Sequence, residues 1–313
     1  MNFTVFEGKF ACGKLLVVVS FCVSFFAVSA HATAEECVAL QNNIATQKEV
    51  TDIRQVDWNL FQAANKGCLE IAKKMLEQGA KAETRRNSGE SILHVAARSG
   101  EAEIAALLID HGADIEVRDL KGATPLFVAA EAKRKDIIKL LLARGANPNA
   151  PGRSDTTPLA AAAFNGSVPI IKMLLDAKAD PKIADRSGKT PIIYAAARGF
   201  KPIVLQFLDT GIDVNAKYEH DLTLLMWAAG HANDVPEVEG RALVSSLLDR
   251  GAKLDEVDDR GMTALMISAE LGHVETVEEL VKRGATKDIK SKEGKTALDY
   301  AATVPVKSAI SSQ

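Results

Sequence analysis

Thr124-Pro125-Leu126-Phe127-Val128-Ala129-Ala130 is the stretch that decides how this 313-residue chain folds, because its parts recur. A hydroxyl residue, a Pro or similar residue and an aliphatic one return as Ser91-Ile92-Leu93, Thr157-Pro158-Leu159 and Thr190-Pro191-Ile192. They return again as Thr223-Leu224-Leu225, Thr263-Ala264-Leu265 and Thr296-Ala297-Leu298, after a degenerate first copy, Trp58-Asn59-Leu60-Phe61. The aliphatic positions 60, 93, 126, 159, 192, 225, 265 and 298 are spaced by 33 residues five times, then by 40, then by 33. A constant period of this length marks stacked supersecondary units rather than a single globule.

Each unit has a mechanical reading. Thr opens a helix as its N-cap, and Pro at the next position loses nothing because its missing N–H would be unpaired there anyway. The Ala pair keeps that helix thin. A second helix such as Ile137-Ile138-Lys139-Leu140-Leu141-Leu142 carries apolar residues at i, i+3 and i+4 and supplies the core face. Gly79, Gly112, Gly145, Gly211, Gly251 and Gly284 follow it, where left-handed backbone disfavours a Cβ. Lys178 fills that slot in the fourth unit, at a cost of about 1 kcal/mol that predicts a locally weak repeat. Polar stretches such as 114–122 read as hairpin loops joining one unit to the next. Aromatics make up only 5% of the chain, so the core is built from Ala, Leu, Ile and Val.

The period and the Thr-Pro-Leu signature resemble the ankyrin-repeat family across 53–302. The resemblance implies an all-α solenoid of helix-turn-helix units joined by β-hairpin loops. It would hold about seven repeats, close on a half-unit at 291–302 and leave 303–313 as a C-terminal tail. Asp155 and Asp221 depart from the pattern, in hairpin slots that are Gly in the other full copies. Residues 35–52 have loose helical spacing and read as a capping helix, since a terminal repeat has a naked apolar face that something must cover. The sixth unit carries seven extra residues within 231–240, between its helices and away from the hairpins.

The first 34 residues read as a secretory signal. Lys9 and Lys14 precede an apolar run, Leu15 to Val28, and Ala32-Thr33-Ala34 offers a small-x-small exit. The run is shorter than the roughly 20 residues a spanning helix needs, so the expected product is soluble after cleavage behind Ala34. Removing Lys9, Lys14 and Glu7 from 38 basic and 41 acidic residues leaves 36 and 40. That acidic balance gives no reason to expect nucleic-acid binding. Cleavage also removes Cys12 and Cys22. The remaining Cys37 and Cys68 are either one disulfide, as an oxidising compartment favours, or two separate thiols.

No catalytic signature is present: the chain has no phosphate-binding Gly-rich loop, no His-Glu-x-x-His and no Gly-x-Ser-x-Gly. No cofactor is expected. The reading is therefore a non-enzymatic, monomeric protein–protein interaction module, periplasmic or secreted. Resemblance to the family places its contacts on a concave face. The hairpins contribute Arg85, Asn87, Arg118, Leu120, Lys121, Arg153, Arg186, Lys189, Lys217, Tyr218, His220, Arg260 and Met262. The first helices add Arg98, Phe164 and Arg198. The cations form a stripe that would steer an acidic partner, or else they merely solubilise an edge. Two other readings stand beside this one: an accessory factor for a periplasmic stress or redox enzyme, and a weak cation site from His231, Asp234, Glu237 and Glu239.

Overall fold

The computed structural model describes residues 34–46, 52–232 and 234–312. The expected signal segment up to Thr33, with Cys12 and Cys22, lies outside the described residues.

An N-terminal helix α1 (Ala34–Thr46) is followed by eight helix pairs. These are α2 (Ile53–Lys66) with α3 (Leu69–Glu77), α4 (Ile92–Ser99) with α5 (Ala102–Asp110), and α6 (Pro125–Glu131) with α7 (Lys135–Ala143). Next come α8 (Pro158–Phe164) with α9 (Val168–Asp176), and α10 (Pro191–Ala197) with α11 (Lys201–Leu208). The last are α12 (Leu224–Ala229) with α13 (Glu237–Asp249), α14 (Ala264–Leu271) with α15 (Val274–Lys282), and α16 (Ala297–Tyr300) with α17 (Val304–Ser311). First helices stack on first helices and second on second, in chain order from end to end. One continuous apolar core runs through all the repeats.

Local chemistry explains the regularity. The Thr124 and Thr157 hydroxyls accept from the backbone N–H groups of Phe127 and Ala160, each capping a helix with Pro at its first position. The Ala residues that follow are sealed: Ala129, Ala130, Ala162, Ala163, Ala195 and Ala196 are fully buried where neighbouring first helices meet. In the second repeat His94 replaces part of this apolar contact with a bridge. Its Nδ1 accepts from the Ser91 N–H at 3.2 Å, which leaves Nε2–H to donate to the Ala123 carbonyl of the next hairpin at 2.8 Å. Burial in that slot holds the His94 pKa below the ordinary value.

Lys178 takes the left-handed backbone of the glycine slot, with φ 68°. Asp155 and Asp221 also sit at positive φ, each with its preceding residue, Ser154 and His220. Both loops tighten into a 3₁₀ turn there. The hairpins are too short for ladders: among the described residues they contain two isolated antiparallel bridges, Arg85 to Ser91 and Lys217 to Thr223.

The ends of the array differ from the expectation in one respect. Residues 303–312 of the expected tail are not a tail. Thr303 caps α17, which packs on α15 and buries Val306, Ala309 and Ile310, completing an eighth helix pair. A half-unit would have left one side of α15 open to water, and α17 covers it. At the other end α1 lies against α2, and Cys37 and Cys68 are joined at 2.09 Å, with their Cα atoms 5.5 Å apart. Cys68 stands at the N-cap of α3, so the bond ties α1 to the turn inside the first repeat.

Candidate functional site

Hairpin tips and first helices face the same side of the stack. Two clefts show this. One, about 490 Å³, is lined from α2 by Arg54, Asp57, Trp58 and Phe61 and from the first hairpin by residues 84–88. The other, about 610 Å³, joins Phe127, Glu131, Ala160, Ala161, Phe164 and Tyr194 of three successive first helices to Arg153 and Arg186 of two hairpins. The larger hollow exists because Ala160 and Ala161 stand where the neighbouring units have Phe127-Val128 and Ile193-Tyr194. That signal was present in the sequence and sequence reasoning missed it. Phe164 and Tyr194 meet edge to face at 5.9 Å on its wall. Tyr194 donates a short hydrogen bond to Asp185. Burial, reinforced by that carboxylate, pushes the Tyr194 pKa up to about 12. Burial alone would raise Asp185, but hydrogen bonds from Tyr194, Ser187 and the Lys189 N–H hold it below the usual carboxylate value.

A related geometry recurs in several repeats, a hairpin cation laid beside an aromatic or acidic residue of a first helix: Arg86 over Phe61, Arg153 beside Glu131 and Lys189 over Trp227. A scan against family models matches ankyrin repeats in three copies, over 60–152, 159–238 and 225–305. The chain belongs to the ankyrin-repeat family. A search of curated proteins finds no match. Ankyrin repeats are generally protein–protein interaction modules, so this ridge of hairpins and first helices is the surface to examine residue by residue.

The ankyrin ridge is less uniformly basic than its sequence suggests. Arg153 meets Glu131 at 3.0 Å, Arg186 meets Asp155 at 3.2 Å, and Arg198 meets Asp234 at 2.8 Å. Lys217 meets Glu256 at 3.3 Å, and Arg260 meets Asp258 at 2.7 Å. Arg98 pairs with Glu90, and Lys189 lies over the Trp227 ring at 5.7 Å. Exposed pairs of this kind add about 0–1 kcal/mol to stability, but they cancel the local field. Arg85, Arg118 and Lys121 differ: among the described residues none of them makes an ion pair. Arg85 donates to the Arg118 carbonyl at 3.3 Å, and Arg118 donates to the carbonyls of Gly122 and Pro151.

Several sequence-derived contact residues turn out to be structural. Met262 is only 3% exposed and belongs to the core, where the hairpin folds it under the ridge. Tyr218 packs against the core, and burial pushes its pKa up to about 12. His220 is exposed but its Nδ1 meets Asp259 of the next hairpin at 2.7 Å, a bond that holds the imidazole pKa above the ordinary value. Leu120 at 78% exposure and Phe164 at 52% remain open, and Asn87 is exposed.

The loop of the sixth repeat does not assemble a cation site. His231 is buried and stacks on His273 of the seventh repeat, with ring centroids 3.9 Å apart and planes 4° from parallel. Asp234 is taken by Arg198, and Glu237 Oε2 accepts from the Glu275 N–H at 3.0 Å. Among the described residues no group of three or more His, Cys, Asp or Glu side chains converges on one point. Part of the insertion lengthens α13 to 13 residues, against 9 in α5, α7 and α15.

Proposed function

We propose that this ankyrin protein is a non-enzymatic adaptor that acts in the periplasm or outside the cell and grips another protein on the face shared by its hairpins and first helices. The observation that carries this reading is the division of labour between the two faces. Second helices turn most of their apolar residues to the core, leaving only scattered Val168, Val238 and Val304 among their exposed large apolar residues, whereas the first-helix and hairpin side keeps two clefts with exposed Trp58, Leu120 and Phe164 in or beside them. Exposed large apolar residues beside clefts are typical of interface anchors. The Cys37–Cys68 bond supports an oxidising compartment, where such a bond persists. Caps at both ends, α1 and the α16–α17 pair, suit a chain that works as a monomer.

The test is photo-crosslinking in intact cells. A crosslinking amino acid at the ridge positions Asn87, Arg186 and Arg260 should trap one protein reproducibly, and the same residue at Lys139 or Lys172, exposed on second helices, should not. Adducts from Lys139 and Lys172 alone would contradict the assignment of the docking face. Sequencing the exported chain should return Glu35 as its first residue.

A further inference from the structure

We infer that the partner is engaged through an extended acidic segment carrying a large apolar side chain, and that this segment seats on the N-terminal part of the ridge, over repeats one to three. The inference rests on the reading of the ridge as the docking face and narrows it.

Charge is the first argument. From the third hairpin to the sixth the ridge cations are held by a carboxylate or lie on an aromatic ring: Arg153 by Glu131, Arg186 by Asp155, Lys189 by Trp227, Lys217 by Glu256 and Arg260 by Asp258. Lys290 and Lys292 of the seventh are exposed. The first two hairpins keep Arg85, Arg118 and Lys121, whose side chains meet no acid among the described residues. A chain that is acidic as a whole thus presents a local region of uncompensated positive charge at the N-terminal end of its ridge, separated by four neutralised hairpins from the lysines of the seventh. Such a region attracts negative partner surfaces and repels basic ones, and it acts most strongly at low ionic strength.

Shape and polarity supply the second argument. The charged residues are connected to apolar anchors through direct contacts. Arg85 and Ser88 line the same cleft as Trp58, which is 48% exposed. The Leu120 N–H bonds the Ser88 carbonyl at 3.1 Å, and this places Leu120 next to that cleft. Arg86 covers the Phe61 ring at 4.7 Å and the Trp58 ring at 5.5 Å, which fixes the cleft floor. The cleft volume of about 490 Å³ fits a large side chain rather than a folded surface. Cations spaced one repeat apart, with Trp58 and Leu120 between and beside them, match alternating acidic and apolar residues of an extended strand. A nucleic acid would ask for a longer uninterrupted run of free cations, and the third to sixth hairpins break it.

The test uses the processed protein in a Trp227→Phe background, which leaves Trp58 as the sole tryptophan of the two in the chain. It is titrated with a short synthetic peptide of Asp and Glu around a central Phe, with the Lys counterpart of that peptide, and with single-stranded oligothymidine. The expected result is a saturable change in Trp58 emission with the acidic peptide alone, weakened by salt. Lys121→Glu and Arg118→Glu should each raise the Kd about tenfold, a loss typical of reversing a contact charge. The Lys121 side chain makes no ion pair among the described residues, so its reversal reports binding even if Arg118→Glu perturbs the hairpin. Arg186→Glu and Arg260→Glu, on hairpins beyond the proposed seat of the segment, should raise the Kd far less than either. No saturable binding, equal weakening by the later-hairpin variants, or a preference for oligothymidine overturns the assignment. If crosslinks from Arg186 and Arg260 persist in those cases, ridge docking stands and only its N-terminal, acidic character fails.

Discussion

His231 and His273 stack their rings face to face between the sixth and seventh repeats. The His231 Nε2 is buried without a hydrogen-bond partner, and Gly240 lies so close that a Cβ there would sit 2.1 Å from the His231 ring. Burial lowers the His231 pKa first, and the nearby His273 lowers it further. The Ala232 carbonyl and Glu237 oppose the shift without reversing it. His94 is also lowered, by burial in the second repeat. A histidine with a folded-state pKa below its unfolded value of about 6.5 is protonated first in the unfolded chain as pH falls. Its contribution is therefore intact above about pH 6.5 and is lost as pH drops through the lower folded value, about 1.4 kcal/mol for each unit of difference. In a His220→Asn background, which removes the opposite contribution of the imidazole that Asp259 holds above its ordinary pKa, the urea midpoint should hold level from about pH 8 to 7 and decline below about 6.5, before ordinary carboxylates titrate. His231→Gln should flatten this decline without abolishing it, because His94 remains. A midpoint that stays level down to about pH 5 would contradict the assignment. Nothing in the sequence pairs His231 with His273: they are 42 positions apart, and the insertion breaks the register that pairs other neighbours.

At the scale of elements, α1 is the piece least able to hold itself. It buries a single residue, Leu40, and leaves Val38 54% exposed. That burial is too small to offset the ordering of 13 residues, since fixing each backbone residue costs about 1–2 kcal/mol. The Cys37–Cys68 bond closes a sequence separation of 31 residues, which by the chain-entropy argument contributes roughly 3–4 kcal/mol. Reduction, or the paired change of Cys37 and Cys68 to Ser, should therefore release α1 before it disturbs the repeats. Hydrogen exchange should quicken across 34–46 and α2 while α6 and everything after it keep their protection. Uniform loosening along the chain would show that the bond acts on the whole array. The need for a cap was legible in the sequence, because an open terminal repeat cannot stay bare. The helix boundaries and the pairing of the thiols were not, because α1 has too few apolar residues to fix a face.

Over the whole molecule, the array behaves as a line of near neighbours, and this explains what its sequence revealed. The core was legible because each position is stated eight times, so the period outvotes any local exception. The charge balance of the ridge was legible only where acid and cation share a hairpin, as Asp258 and Arg260 do; elsewhere the acid comes from a different element, with Glu131 22 positions from Arg153 and Asp155 31 from Arg186. The eighth pair was hidden for another reason. In every other repeat without an insertion the second helix starts nine residues after the signature aliphatic residue, as Val274 does after Leu265, but α17 starts six after Leu298 because α16 is only four residues long. Deleting 303–313 tests whether this last helix is structural. Val306 and Ile310 are each worth about 1.5–3 kcal/mol when buried, and their loss would also bare the apolar side of α15. The truncated chain should lose about 3–5 kcal/mol of stability at its C-terminal end, with faster exchange in α15 and α16 and a stronger tendency to self-associate. In a linear array that damage should fade within one or two repeats, leaving the clefts beside Trp58 and Phe164 and their exchange protection intact. Loss of protection as far back as α8 would mean instead that the repeats fold as one cooperative block and that no part of the ridge is independent of its ends.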